Sequence, residues 1–315
     1  MSVLLDDYID ADVAYLAGLI VGRGTLSHTG GVRQLVIQFS HRSLEVKGTG
    51  SPFSLDDAMA IGLDSIRERL QELLETDIRK VVTNQGAELV ARFMRNNMIW
   101  RNLLLLTEEA TSYRHFHVPK VMFDADLPKE WKREFLRGYA DVAGNIRHAN
   151  RYVDGRHRVR LDVLNYPATW EVPVQLCTLL QDHLDVPVQL ITWGHPNMGR
   201  GFREHQLNVF AEPFLAIGFS LGYKQRMLEE FADLDRADQG EIESAPCPGL
   251  RERTTRKDTD EGEGNDSKLD QRLLGRHFDA YWQICQALGC TRTRRSPGHD
   301  CAKSSDSAES GQQDQ

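Results

Sequence analysis

Two nine-residue segments with the same spacing of glycines constrain most strongly what this chain can fold into. Residues 16–24 run Leu-Ala-Gly-Leu-Ile-Val-Gly-Arg-Gly, and residues 136–144 run Leu-Arg-Gly-Tyr-Ala-Asp-Val-Ala-Gly. Both have glycine at the third and ninth positions, and they start 120 residues apart. A small residue lets two helices pack backbone to backbone, and a final glycine ends a helix and turns the chain. The pair therefore predicts two packed helices and an internal repeat.

The predicted elements around each segment follow one order. In the first half the pattern predicts a helix over 12–24, strands over 25–27 and 34–40, a helix over 55–75, strands over 78–83 and 88–93, and a helix over 97–111. In the second half it predicts a helix over 129–143, strands over 145–151 and 157–166, a helix over 170–184, strands over 188–193 and 205–210, and a helix over 213–234. Both orders are αββαββα. We therefore predict an α+β fold of two pseudo-symmetric repeats, over residues 1–115 and 116–234.

The remaining residues differ in composition from both halves. Few apolar residues occur over 235–268, so we predict a linker and a C-terminal helix over 235–290 and a disordered tail over 291–315. This extension is a candidate surface for a protein partner. Its candidate ligands for one structural Zn²⁺ are Cys247, His277, Cys285 and Cys290. They contain no C-x-x-C pair, and the alternative is an apolar helix with free thiols.

Charge and cysteine usage limit the class of protein. The 315 residues carry a net charge of −8, which disfavours a protein that coats nucleic acid but allows one basic face. The start of the chain is acidic and lacks a signal-peptide pattern, and no apolar run is long enough to span a bilayer. With five cysteines and no secretory pattern, we expect a reduced, cytoplasmic protein without a membrane contact.

The two segments resemble the LAGLIDADG motif of homing endonucleases, in the single-chain form with two repeats. The resemblance covers about residues 12–234. It implies a monomer whose two four-stranded sheets form a saddle on the major groove of double-stranded DNA. In that family an acid at the eighth position of each motif binds the divalent metals that activate water.

The eighth positions of this chain are Arg23 and Ala143, and neither side chain binds a metal. Arg23 instead introduces a permanent cation. Asp141 is retained at the sixth position, about 200° around the helix from the eighth. The substitutions favour a DNA-binding protein that recognises a site or regulates, without catalytic residues and without a cofactor. Two alternatives stay open: a Mg²⁺-dependent DNA endonuclease that uses Asp141 with an acid from residues 6–12, and a scaffold that does not bind nucleic acid.

Alternating arginines predict where DNA would bind. Over residues 156–160 each arginine alternates with His157 or Val159, which places the guanidinium groups on one side of a strand. Arginine pairs with phosphate or guanine. The predicted DNA-contacting residues are Gln34, Gln38, His41, Arg42, Arg147, Arg151, Arg156, Arg158, Arg160 and Asn165. The alternative for this face is a solvated polar surface.

Overall fold

The first half of the chain has the predicted order of elements. The computed structural model describes residues 9–40, 44, 55–95, 97–147, 156–192 and 203–244. The elements of the first half are α1 (Ala11–Arg23), β1 (Gly24–Thr29), β2 (Val32–Ser40), α2 (Leu55–Leu74), β3 (Ile78–Thr83), β4 (Gly86–Phe93) and α3 (Met98–Leu106). Helix α3 ends earlier than predicted, because the Thr107 hydroxyl bonds to the carbonyls of Leu103 and Ala110 and closes the chain into a turn.

The second half repeats this order with one break. Its elements are α4 (Lys129–Ala143), β5 (Gly144–Arg147), β6 (Arg158–Asn165), α5 (Val172–Thr178), β7 (Leu190–Thr192), β8 (Arg203–Phe210), α6 (Ala211–Phe214) and α7 (Gly222–Ser244). Helix α5 continues as a π-helical turn over Leu179–His183. The prediction of one closing helix over 213–234 is wrong. Gly218 has a φ of 70°, a left-handed conformation that interrupts a right-handed helix between α6 and α7.

Two four-stranded antiparallel sheets carry the fold. The strand orders are β1-β2-β4-β3 in the first sheet and β5-β6-β8-β7 in the second. In β2, Leu35, Ile37 and Phe39 are buried against the helices, so the residues between them lie on the opposite face. The structure therefore confirms the predicted α+β class and the αββαββα order of the first half, which the second half repeats except that two helices, α6 and α7, replace its single closing helix. We call the sheet faces that point away from the helices the outer faces.

Helices α1 and α4 join the two halves through their glycines. Asp10 caps α1 by accepting a hydrogen bond from the Val13 amide at 2.8 Å. A Cβ on Gly18 would overlap the backbone of Phe135, and a Cβ on Gly138 would overlap the backbone of Tyr15. The motif glycines thus make the backbone-to-backbone contact that the sequence predicted.

An ion-pair network ties α2 to this helix pair. The Arg69 guanidinium lies 2.6 Å from the Asp12 carboxylate of α1 and 2.9 Å from the Glu134 carboxylate of α4. It also stacks 4.1 Å from the centre of the Tyr15 ring. Because Glu134 is only 7% exposed, this contact is shielded from solvent more than an ordinary surface ion pair.

Several sequence predictions concern residues that are only partly described. All described residues belong to one compact unit over residues 1–248, and the predicted limits of the domains stay predictions. The candidate zinc ligands Cys247, His277, Cys285 and Cys290 lie outside the described residues. Cys177 is buried, and burial raises the pKa of its thiol to about 12. Among the described helices none is long and apolar enough to cross a membrane.

Candidate nucleic-acid interface

Helices α1 and α4 end side by side. Gly18 packs against Phe135 and Tyr139, and Gly22 packs against Tyr139 and Val142. Because the contacting residue numbers rise together, the two helices run in the same direction. Strands β1 and β5 begin at the residues directly after these helices, so both sheets start from the same end of the helix pair.

The eighth motif positions hold a cation and a methyl group at this end. Arg23 is half-buried, and its Nη1 donates to the carbonyl of Gly22 at 2.6 Å. Its guanidinium also lies 6.0 Å from the centre of the Tyr113 ring. Ala143 is 1% exposed. Neither residue offers an oxygen ligand to a divalent cation.

The retained motif acid, Asp141, is fully buried and fully engaged. Its carboxylate accepts hydrogen bonds from the Tyr15 hydroxyl at 2.8 Å and from the backbone amides of Ser220 at 3.1 Å and Leu221 at 3.4 Å. Burial raises the pKa of Asp141, and the nearby Lys224 ammonium and these hydrogen bonds oppose the rise. Asp141 therefore joins α1 to the start of α7 and faces the protein interior.

The described acids near the start of α1 have other partners. Asp10 caps the helix, and Asp12 pairs with Arg69. Asp6 and Asp7 lie outside the described residues. Over the described ranges, no three His, Cys, Asp or Glu side chains are grouped so that they could hold a metal ion.

A buried lysine from α7 reaches the start of β5. The Lys224 Nζ is fully buried and donates to the Gly144 carbonyl at 2.9 Å. Burial lowers the pKa of Lys224 to about 8, although Asp141 and Asp162 oppose the shift. The sequence reasoning missed this residue. No sequence signal marks it, since an isolated lysine in an amphipathic helix usually points to solvent.

The pairing registers match the two outer faces position by position. Gly24 pairs with Ile37 in the first sheet, and Gly144 pairs with Leu161 in the second. When Gly24 is matched with Gly144 and Ile37 with Leu161, the other positions of the two sheets follow in order. Ser27 then corresponds to Arg147, Gln34 to Arg158, and Val36 to Arg160. At these three positions the first outer face has uncharged residues and the second has arginines, while Arg92 and Arg79 lie on the first outer face as partners of Gln34 and Val90.

These three arginines form what we call the arginine patch (Arg147, Arg158 and Arg160). Arg147 and Arg158 are direct partners on neighbouring strands, and Arg160 follows on the same face of β6. The Arg160 Nε lies 3.2 Å from Asp162 Oδ1. Asn145 donates to the other Asp162 oxygen at 2.8 Å. The sequence reasoning missed Asp162, although continuing the same alternation by one step would have placed it beside the arginines.

The other predicted DNA-contacting residues have different surroundings. Arg156 precedes β6, lies 3.7 Å from the Glu212 carboxylate and stacks 4.4 Å from the centre of the Phe210 ring. Gln34 and Gln38 lie on the first outer face, where the Gln38 amide donates to Glu88 at 3.2 Å. Asn165 is the last residue of β6. His41, Arg42 and Arg151 lie outside the described residues, and their predicted contacts stay predictions.

The chain is thus an α+β protein of two LAGLIDADG-like halves with an arginine patch on one outer face. No protein-family model and no curated protein sequence matches it. Among solved structures, a variant of the homing endonuclease I-DmoI in complex with its target DNA is similar at 16% identity, with a TM-score of 0.37, over 63% of this chain and 86% of that chain.

The protein DUF199/WhiA also occurs among the similar structures. Its N-terminal LAGLIDADG domain is 14% identical, with a TM-score of 0.37, over 66% of this chain and 81% of that chain. Full-length DUF199/WhiA from Thermotoga maritima is 15% identical, with a TM-score of 0.40, over 85% of this chain and 67% of that chain. At such low identities none of these proteins assigns a function to the chain.

Proposed function

We propose that this protein binds double-stranded DNA through the outer faces of its two sheets and does not cut it. The observation that carries the proposal is the direct pairing of Arg147 with Arg158 on neighbouring strands. Like charges opposite each other destabilise a sheet. A chain with a net charge of −8 that nevertheless groups arginines in this way has a site suited to a polyanion.

The shape of the patch favours duplex DNA among polyanions. The arginines project from two neighbouring antiparallel strands, and the major groove of B-DNA is wide enough for such a β-ribbon. Arginine contacts both phosphate oxygens and the base edge of guanine. The resemblance of the two motifs to the LAGLIDADG family points to the same partner.

The absence of cleavage is proposed from the residues at the end of the helix pair. The eighth motif positions carry Arg23 and Ala143, which cannot bind a catalytic metal. Asp141 holds three hydrogen-bond donors in the interior, so it would have to leave these donors unsatisfied to bind a metal at the surface. Site recognition or regulation therefore fits the chain better than hydrolysis.

Two assays with the same protein test the proposed DNA binding and the proposed absence of cleavage. The full chain is titrated into a fluorescent pool of random duplexes at several salt concentrations, and supercoiled plasmid is incubated with the same protein with Mg²⁺ and with EDTA. We expect saturable binding that weakens as salt rises, with the plasmid intact. Binding that is absent or insensitive to salt would contradict the proposed DNA binding. Plasmid nicking that depends on Mg²⁺ and scales with the protein concentration would contradict the proposed absence of cleavage.

A further inference from the structure

We propose that Asp235 of α7 is a positioning residue for DNA binding, because it fixes the start of β6 and with it Arg156 and Arg158. This inference rests on the proposed DNA binding, and it names a residue outside the DNA-contacting face that controls the affinity. It follows from the contacts of His157, which lies between the two arginines in the chain.

Alternation along the strand separates His157 from its two neighbours. Arg158 is the first residue of β6 and is the ladder partner of Phe210 on the second outer face. Arg156 stacks 4.4 Å from the centre of the same Phe210 ring, so the two arginines share that face. The His157 ring points toward the interior, where its centre lies 4.1 Å from the centre of the Phe231 ring of α7.

Asp235 binds both the ring and the backbone of His157. The His157 Nδ1 lies 2.7 Å from Asp235 Oδ1, and the His157 amide donates to the other carboxylate oxygen at 3.0 Å. An ionised carboxylate only accepts hydrogen bonds, so the Nδ1 carries the proton in this contact. The Asp235 side chain is 1% exposed, which strengthens these hydrogen bonds. The His157 carbonyl accepts the Ala211 amide at 3.0 Å, so both sides of the residue are held.

Holding His157 in place limits the movement of the arginines on either side of it. A side chain on a fixed segment loses less conformational entropy when it binds a base or a phosphate. Asp235 itself repels DNA, so its removal would raise the affinity if net charge alone mattered. The positioning role predicts the opposite, a lower affinity, and the sign of the change therefore separates the two explanations.

Anisotropy titrations of one fluorescent duplex test the inference, with the full chain and variants of α7. Asp235→Ala removes the acceptor, and Asp235→Asn keeps one acceptor oxygen at the same net charge. Asp233→Ala is the matched control, because Asp233 lies on the same helix, is 69% exposed and pairs with Arg236. We expect Asp235→Ala to bind about five- to tenfold more weakly than the wild-type chain. Asp235→Asn should lie between them, and Asp233→Ala should match or exceed the wild-type affinity.

A chain with glutamine at both Arg156 and Arg158 distinguishes positioning from a general loss of structure. In that chain Asp235→Ala should change the affinity by less than about twofold, because the arginines that it positions are gone. His157→Phe is a second variant, which decides the matter if Asp235→Ala does not fold. It keeps a ring against Phe231 and removes the ring hydrogen bond, so it should weaken binding only when both arginines are present.

Three results would overturn the inference and leave the proposed DNA binding intact. One is an Asp235→Ala variant that binds as tightly as Asp233→Ala. Another is an equal loss of affinity in the chains with and without the two arginines. The third is wild-type affinity in His157→Phe. If the wild-type chain binds no duplex, both proposals are overturned.

Discussion

The Tyr15 hydroxyl donates a hydrogen bond to the Asp141 carboxylate at 2.8 Å, from one helix of the central pair to the other. The same carboxylate accepts the backbone amides of Ser220 and Leu221, 79 and 80 residues further along the chain. This arrangement explains why an acid stands at the sixth motif position when none stands at the eighth. The sixth residue holds three segments together, whereas the eighth faces the end of the helix pair.

Asp141→Ala is therefore expected to destabilise the protein strongly. It leaves three buried donors without an acceptor, and each costs about 1–3 kcal/mol, so the free energy of unfolding should fall by at least about 3 kcal/mol. Tyr15→Phe removes one donor and its hydrogen bond and should cost about 1 kcal/mol. Urea unfolding of both variants measures the difference. An Asp141→Ala variant no less stable than Tyr15→Phe would contradict the role given to this carboxylate.

The glycines of the helix pair should tolerate no side chain. Gly18→Ala and Gly138→Ala each force a methyl group into backbone atoms of the partner helix. Overpacking of this kind costs about 1–3 kcal/mol or more. Gly222→Ala is the control, because a Cβ there would meet no atom within 4 Å and alanine favours a helix. If thermal unfolding shows equal losses for all three, the close approach of α1 and α4 is wrong.

Lys224 predicts a specific pH dependence of stability. Burial lowers its pKa from 10.5 to about 8, so between these values the unfolded chain binds the proton that the native chain has released. The free energy of unfolding therefore rises as the pH increases from about 8 to 10.5, because the cost of burying a charged lysine disappears. This gain in stability is lost as the pH falls back to about 8. The raised pKa of Cys177 acts in the opposite direction near the same pH.

The comparison with Lys224→Met isolates this contribution. Urea unfolding of both proteins is measured at several values from about pH 7.5 to about pH 10, which bracket the shifted pKa, and the difference in free energy between them is plotted. The contributions of Cys177 and of the buried tyrosines cancel in the difference. We expect the wild-type chain to gain stability relative to Lys224→Met over this range. A flat difference would mean that Lys224 is not held in a low-dielectric site.

The arginine patch should lower the stability of the protein and raise its affinity for duplex DNA. Arg147→Gln removes one of two like charges on paired strands, so it should leave the free energy of unfolding unchanged or raise it by up to about 1 kcal/mol at low salt. The same variant should bind duplex DNA about tenfold more weakly. Unfolding and anisotropy titrations at low and at high salt, about 20 mM and about 500 mM, would check both. A loss of stability without a loss of affinity would indicate a structural arginine.

Local patterns allowed much of the fold to be predicted. Helix α4 and strand β3 have the predicted limits to the residue, because Pro128 and Gly144 bracket the first and alternation marks the second. The outer-face placement of Gln34 and Gln38 likewise follows from period-two burial. These features depend only on neighbours along the chain.

The contacts that define the site depend on distant residues, and the sequence could not predict them. The partners of Asp141 at Ser220 and Leu221 lie in a turn created by the left-handed Gly218, which the sequence placed inside a helix. The burial of Lys224 follows from that same turn, since it sets where α7 begins. The like-charge pair of Arg147 and Arg158 requires the register of β5 on β6.

The most direct test of DNA binding through the arginine patch compares two triple variants of equal charge. One carries glutamine at Arg147, Arg158 and Arg160. The control carries glutamine at Arg67, Arg133 and Arg236, which lie on helices and each pair with an acid three residues away. Such exposed pairs contribute little to stability. Both variants and the wild-type chain are titrated with one duplex over a series of salt concentrations.

We predict that the patch variant binds the duplex on the order of 100-fold more weakly. Its plot of log affinity against log salt should also be shallower by about 0.9 for each phosphate that the variant no longer neutralises. The control variant should keep the wild-type affinity within about threefold, because the proposed interface does not include its helices. Equal weakening in the two variants would show that net charge alone attracts the DNA, and unchanged affinity in the patch variant would contradict the proposed interface.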